Sequence, residues 1–498
     1  MNRRPDGRTG SITTSGSQHN IALNLRGELG GAFLASNSPI SLATGIEYSQ
    51  RQGQPDIGCP VADGQQLHRH PWRAIGPERR QGAFRFFNPQ PFSGAIKVVE
   101  GYLEVAVPLV EGKPFFHQLD LNGAVRHARY SADGRVYTFA RGVSTSAPSS
   151  SSFDATTWKP GANWAPVDDI RFRLTRSRDI RAPSMIDLHN GSQFSSATIT
   201  FGGNTIPLFQ LTRGNPNLTP EKADTLTAGV VLKPGFLPGF QASIDYYKID
   251  VNNAIAGLLA QQQVNLCAAG DQTFCALQSL SNGALTVITP PFNLNPQRVK
   301  GWDIEAQYRT NLGSGQLALR GFVNINSADY IRPAVGSVIN QRGAATNPRW
   351  RGIFQINYNS DSFGVFLQER IIGKSLIDAN LVEGIGIPEN DIPAVAYTDV
   401  TLTAKVMERF EAFLTISNLF DKDPPPSPKP TTTFSIPYSG AYDTIGQAFT
   451  SGFASRCRNP AGEHLCPQSG NFPGCGFLIP GIECRSYCGR ACLWFIQS

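Results

Sequence analysis

The stretch RFRLTRSRDIRAPS carries five arginines, and four of them, Arg173, Arg176, Arg178 and Arg181, make a candidate basic row. Guanidinium groups gathered at a pore entrance draw anions inward, so the row could steer an anionic ligand. Two other readings stay open: a solvated inner face, or partners for carboxylates on facing strands. Cys267 and Cys275 are separated by eight positions. In an oxidising space such a close pair predicts a structural loop disulfide, the alternative being two unpaired thiols. His68 and His70 lack a nearby carboxylate pair and read as loop residues rather than metal ligands. Asp245 and Asp250 flank two tyrosines and read as lumen-face or loop polar groups, not as an acid/base pair. There is no G-x-S-x-G elbow, no H-E-x-x-H and no glycine-rich phosphate loop before a helix. The chemistry on offer is binding. No catalysis, cofactor or metal is predicted.

The arginines sit on an element with a clear period. Phe172 and Leu174 alternate with Arg171 and Arg173, and Leu226, Ala228, Val230 and Leu232 alternate with Thr225, Thr227, Gly229 and Val231. A period of two makes a strand with one apolar and one polar face. About 40 residues join these two strands, far more than a hairpin in a compact domain needs. The composition fits the same picture: 40% hydrophobic, 16% charged, 49 Gly and 30 Phe in 498 residues. No apolar run approaches the roughly 20 residues of a membrane helix. A membrane protein without such helices must be a closed barrel, because only that form pairs every backbone group in lipid. The net charge of +6 is spread along the chain, with no basic patch interleaved with aromatics, so nucleic-acid binding is excluded. The N-terminus has basic residues but no apolar core of an export signal.

About fifteen strands are predicted, each near the roughly 9–11 residues of a tilted membrane strand. The first are 22–30 and 39–49, followed by a long segment 50–97. Next come 98–109 and 117–130, a serine-rich flexible loop at 143–152, then 155–165 and 170–178. After that the pattern is regular: 222–232, 240–251, 300–310, 316–325, 349–358, 363–372, 396–406 and 410–420. Connections alternate between short turns rich in Gly, Pro, Asn, Asp and Ser and long loops. That is the pattern of an all-β, antiparallel up-and-down transmembrane barrel. Within 302–309, Trp302, Ile304, Ala306 and Tyr308 share one face, while Asp303, Glu305, Gln307 and Arg309 share the other. A charged inner face requires a wet lumen. A soluble antiparallel sheet with one solvated face is the alternative, but it leaves the loop alternation unexplained.

At RSRDIRAPS (176–184) and GNPNLTPEKADT (214–225) the chain resembles the barrel of TonB-dependent outer-membrane receptors. Further pieces of the resemblance are NPQPFSG (88–94), EGYLEVAVPL (100–109), LDLNGAVR (119–126), FQASIDYYKIDVNNAI (240–255), NPQRVKGWDIE (295–305) and SNLFDKDPP (417–425). The resemblance implies location in the cell outer membrane, surrounded by its lipid. It also implies energy-coupled uptake of a large scarce extracellular solute: an iron chelate such as a siderophore, a cobalamin or an oligosaccharide. The family's barrels have about 22 strands and a plugged lumen. The fifteen or so strands here therefore predict a partial barrel at 21–450, after a non-native or disordered start at 1–20. Neither a plug nor a TonB box is recognised, so coupling to the TonB complex is expected only of a full-length parent. AYDTIGQAFT (441–450) resembles the start of the family's last strand. From about Ser451 the alternation stops, and 451–498 carries six cysteines, Cys457 to Cys492. An out-of-frame tail is the preferred reading over a small disulfide or zinc module, since Cys484, Cys488 and Cys492 lack zinc-knuckle spacing. Residues 55–82 also fit the family poorly. The alternative functions are a passive porin or adhesin-like barrel, or a non-functional fragment of a decayed receptor gene.

Overall fold

A computed structural model describes residues 12–30, 36, 38–57, 93–140, 143–191, 193–294, 296–332, 338–385, 389–407, 410–425, 442–455, 483–486 and 492–495. Fifteen long strands form one antiparallel wall in chain order. They are β1 (Ile12–Leu29), β2 (Ile40–Ile57), β3 (Ser93–Lys113), β4 (Phe116–Ala140), β5 (Val143–Val167), β6 (Ile170–Arg181), β7 (Glu221–Leu232), β8 (Phe240–Asn252), β9 (Gln297–Leu312), β10 (Gly315–Ile331), β11 (Trp350–Asn359), β12 (Phe363–Ile372), β13 (Val395–Met407), β14 (Phe410–Ser417) and β15 (Ala448–Ser455). Each pairs with the next. Among the described residues β1 and β15 share no ladder, so the wall is an unclosed barrel. Two four-residue strands, Glu483–Ser486 and Cys492–Phe495, pair with each other, and the second meets the end of β15.

One end of the wall carries tight turns. The β3–β4 turn holds Gly112 and Phe115 at positive φ, and Gly313 does the same between β9 and β10. The other end carries the long loops. The parity of each strand follows from the ladders. Phe172, Val230, Ile244, Ile304 and Val323 lie in one cross-strand row, and Leu174, Ala228, Tyr246, Trp302 and Ile325 in the next. These side chains point away from the protein: Leu174 is 51% exposed and Trp302 41%. Aromatics bound the band at both ends. Phe240 faces Tyr308 near the tight turns, and the Tyr246 and Trp302 rings stand 5.1 Å apart toward the long loops. No helix among the described residues is long and apolar enough to cross a membrane. The exposed apolar band, bounded by aromatic girdles, fits a lipid solvent.

Three expectations change. β1 begins at Ile12, so residues 12–20 belong to a strand paired with β2 rather than to a disordered start. The serine-rich segment 143–152 is strand, not loop: its backbone pairs with β4, Ser150 opposite Asp133 and Ser144 opposite Phe139. A continuous partner strand supplies the ladder that serine's weak strand preference does not signal. Finally, β15 runs through Ser451 to Ser455, five residues past the expected barrel end at 450. Most of the cysteine-rich tail lies outside the described residues, as do His68, His70, Cys59 and most of 55–82.

Candidate functional site: the lumen wall and its capping loops

The opposite parity lines the lumen, and its charges are largely paired. Asn163, Arg173, Gly229, Asp245, Asp303 and Asn324 form one row across β5–β10. Arg173 reaches over Gly229, its Nε donating to Asp245 Oδ1 at 2.6 Å and its second guanidinium nitrogen to Oδ2. A Cβ at position 229 would stand 1.9 Å from Asp245 Oδ1, so the bridge needs glycine there. Asn324 donates to Asp303 at 2.8 Å and to the Tyr247 hydroxyl at 3.1 Å. Arg320 pairs with Glu305, Arg126 with Glu100, and Arg370 with Asp399. Of these pairs only Arg173–Asp245 is bidentate; pairing of this kind fixes side chains across a wet wall, though each partly exposed pair adds only about 0–1 kcal/mol.

At the long-loop end, Arg181 grips Glu221 with two hydrogen bonds of 2.7 Å and touches Asp187 at 3.3 Å. Glu221 in turn accepts from the Ile255 backbone N–H at 2.6 Å. One arginine thus ties together the end of β6, the start of β7 and the entry of the next long loop. Between Arg181 and Glu221 lies the short helix α1 (Met185–His189), opened by a reciprocal capping box of Ser184 and Asp187. Leu188 of α1 packs with Leu218, Ile255 and the lumen-facing Ala132 and Ile96. Gly214 lets the chain pass against α1, where a Cβ would meet the Leu188 carbonyl at 2.6 Å. Asn215 N–H donates to the Asp187 carbonyl at 2.8 Å. The two halves of the receptor-like sequence, RSRDIRAPS and GNPNLTPEKADT, therefore interlock with each other and dock on the inner wall.

His189 completes that dock. It is fully buried, and its ring fills a notch left by Gly94 and Gly134. A Cβ on Gly134 would lie 2.6 Å from the ring. Neither ring nitrogen has a hydrogen-bond partner among the described residues. Burial holds its pKa below the ordinary value of 6.5, against the opposing pull of Asp133.

Above the wall the loops build a cap. Strands Gln193–Phe201 and Asn204–Thr212 come from the β6–β7 loop, and Gln278–Ser281 and Ala284–Thr289 from the β8–β9 loop. They join through a parallel ladder between Asn204–Thr212 and Ala284–Thr289, Leu208 opposite Leu285. Helix α2 (Ala260–Ala268) lays Ala260 and Val264 onto Ile199, Leu208, Leu285 and Val287. Cys267, near the end of α2, is bonded to Cys275, the last residue of α3 (Gln272–Cys275).

The four arginines do not form one lumen row. Arg173 and Arg181 face the lumen, both paired. Arg176 and Arg178 share the outer parity of Phe172 and Leu174, where Arg178 binds Asp224 at 2.8 Å. Consecutive odd and even positions on a straight strand cannot share a face. Asp245 and Asp250 are separated in the same way, Asp250 facing outward between Lys248 and Arg298. No group of three or more metal-binding side chains occurs among the described residues. The cap and the α1 dock were not read from the sequence. The Ser184–Asp187 spacing is the one local signal that marks α1.

Short turns at one end, a cap of long loops at the other, an apolar outer band and a polar inner face are those of the wall of a transmembrane β-barrel. The family described as TonB dependent receptor-like, beta-barrel, matches residues 2–419, and the chain belongs to it. Among solved structures it is similar to the closed form of the ferric-catecholate import receptor Fiu of E. coli K12. The TM-score is 0.52 at 15% identity, over 82% of this chain and 51% of that one. It is also similar to the ferric yersiniabactin uptake receptor FyuA of Yersinia pestis, with a TM-score of 0.49 at 13% identity, over 84% and 51%. The chain spans about half the length of each. No curated protein sequence matches it. The family and these neighbours are transport receptors, and the family's barrels are outer-membrane proteins.

Proposed function

We propose that this chain is barrel wall and loop cap of a receptor for uptake of a large, scarce extracellular solute across the outer membrane. A siderophore-type iron chelate, a cobalamin and an oligosaccharide are the candidate classes. One observation carries the reading: the longest loops fold into a disulfide-bonded cap, and the same loops seat Leu188, Leu218 and Ile255 on the inner wall beside a polar lumen, a shape suited to binding. A passive porin needs an open mouth instead. The proposed partners are outer-membrane lipid, the solute and, in the full-length parent receptor, the TonB energy-coupling complex.

The test is equilibrium binding to the refolded chain in detergent micelles, using a ferric catecholate, a cobalamin and a mixed oligosaccharide pool. Saturable binding of one class is expected. Reduction of the Cys267–Cys275 bond should weaken it without altering the strand content seen by circular dichroism. Absence of binding to all three, combined with large ion conductance in planar bilayers, would establish the porin reading instead.

A further inference from the structure

The outward face of β5–β9 holds a groove of about 480 Å³ within the apolar band. Its floor is small, formed by Ala162 and Ala228, and its sides are large: Trp164, Phe172 and Ile244 in the row toward the tight turns, and Trp302 in the row of the two alanines. All six have outer parity. A groove at this depth meets hydrocarbon.

Directly beyond the band the chemistry switches. One residue pair further along each strand, about 7 Å toward the long loops, stand Arg176 on β6, Lys248 on β8 and Lys300 on β9. Lys248 and Lys300 are direct cross-strand partners. Like charges set opposite each other destabilise a sheet unless something negative lies between them. The protein's own carboxylates on this face are already engaged: Asp224 with Arg178, Asp250 with Arg298 and Lys248. Among the described residues Arg176 and Lys300 make no ion pair. Five cations therefore face two carboxylates at the rim of an apolar groove.

We infer that this face binds one anionic lipid of the long-loop-side leaflet, with an acyl chain in the Ala162–Ala228 groove and its phosphate between Arg176, Lys248 and Lys300. The inference rests on the membrane placement proposed above and not on the identity of the solute. The occupant is a lipid rather than a free anion because groove and cations are continuous. A phosphate alone would leave the apolar groove unfilled, and a neutral lipid would leave Arg176 and Lys300 without a counter-charge.

The test uses the full chain refolded in neutral detergent. It is titrated with phosphatidylglycerol carrying brominated acyl chains, with the same chains on phosphatidylcholine, and with inorganic phosphate. The readouts are quenching of tryptophan fluorescence, which reports on Trp302 and Trp164 beside the groove, and native mass spectrometry of retained lipid. Retention of one phosphatidylglycerol is expected, tighter than phosphatidylcholine by about tenfold or more. The preference should vanish in Arg176→Gln/Lys248→Gln/Lys300→Gln and survive in Lys248→Arg/Lys300→Arg, which keeps the charge and serves as the folding control. Ala228→Trp, which fills the groove, should abolish retention while circular dichroism shows strand content unchanged. Equal retention of both lipids, no effect of the glutamines, or displacement of the lipid by inorganic phosphate would overturn the inference. If neither lipid quenches, the membrane placement itself falls as well.

Discussion

The wall at β6–β9 and the cap above it are both antiparallel strands of period two, yet they bury opposite things. In the cap strand Ala284–Thr289 the alternation turns Leu285 and Val287 inward, at 1% and 0% exposure, against α2. In the wall the same alternation turns Leu174, Ile244 and Trp302 outward, while Arg173, Asp245 and Asp303 line the interior. The cap is built as a protein in water, with a small dry core. The wall is built as a protein in lipid, with its apolar side against the solvent and its polar side enclosed. One chain therefore obeys two solvents, and the border between them lies where Arg176, Lys248 and Lys300 follow the last apolar outward residues.

The comparison can be broken at its core first. Leu285→Ala should destabilise the cap by about 2–5 kcal/mol through the cavity it leaves. Hydrogen exchange should quicken across 193–289 while the β6–β9 ladders stay protected. Equal loss of protection in the wall would show that the two regions share one cooperative unit. Opening the Cys267–Cys275 bond by Cys267→Ser/Cys275→Ser should cost the same region about 2–3 kcal/mol, the loop entropy of so short a closure. Limited proteolysis between α2 and α3 checks it, and unchanged cleavage would argue that α2 packing alone holds the segment. The smallest effect concerns the dock that joins cap to wall. Because burial lowers the His189 pKa, the unfolded form takes up its proton first as pH falls. The docking stability is therefore complete above pH 6.5 and declines below it, by at most about 1.4 kcal/mol per pH unit. Protection factors at amides 185–189, taken relative to intrinsic exchange at each pH, should fall on acidification in the natural chain and not in His189→Phe.

The wall was legible in the sequence because each hairpin announces itself twice, by alternation and by its turn residues. Trp302, Ile304, Ala306 and Tyr308 assign a face without any partner strand in view. The cap was not legible. Its central ladder pairs Leu208 with Leu285, residues from two different loops, and nothing local in either loop specifies the other. The segment 143–152 departs from its local signal for a related reason: its order comes from β4, not from its serines. The arginine row failed on parity alone. Arg173 and Arg176 differ by an odd number of positions, which already places them on opposite faces of an unbroken strand. Gly229 and Gly134 show what sequence cannot price: each glycine matters only because Asp245 or His189 fills the space that its side chain would take.

The central claim is that even-numbered residues of β7 face lipid and odd-numbered ones face a wet lumen. Ala228 sits in the outer row between Leu174 and Tyr246, and Thr227 in the inner row between Thr175 and Tyr247. Chemical unfolding of the chain refolded into lipid vesicles compares Ala228→Arg with Thr227→Arg, neighbours at the same depth. The account predicts a loss of about 2–4 kcal/mol for Ala228→Arg and less than about 1 kcal/mol for Thr227→Arg. Equal costs, or a larger cost at Thr227, would contradict it.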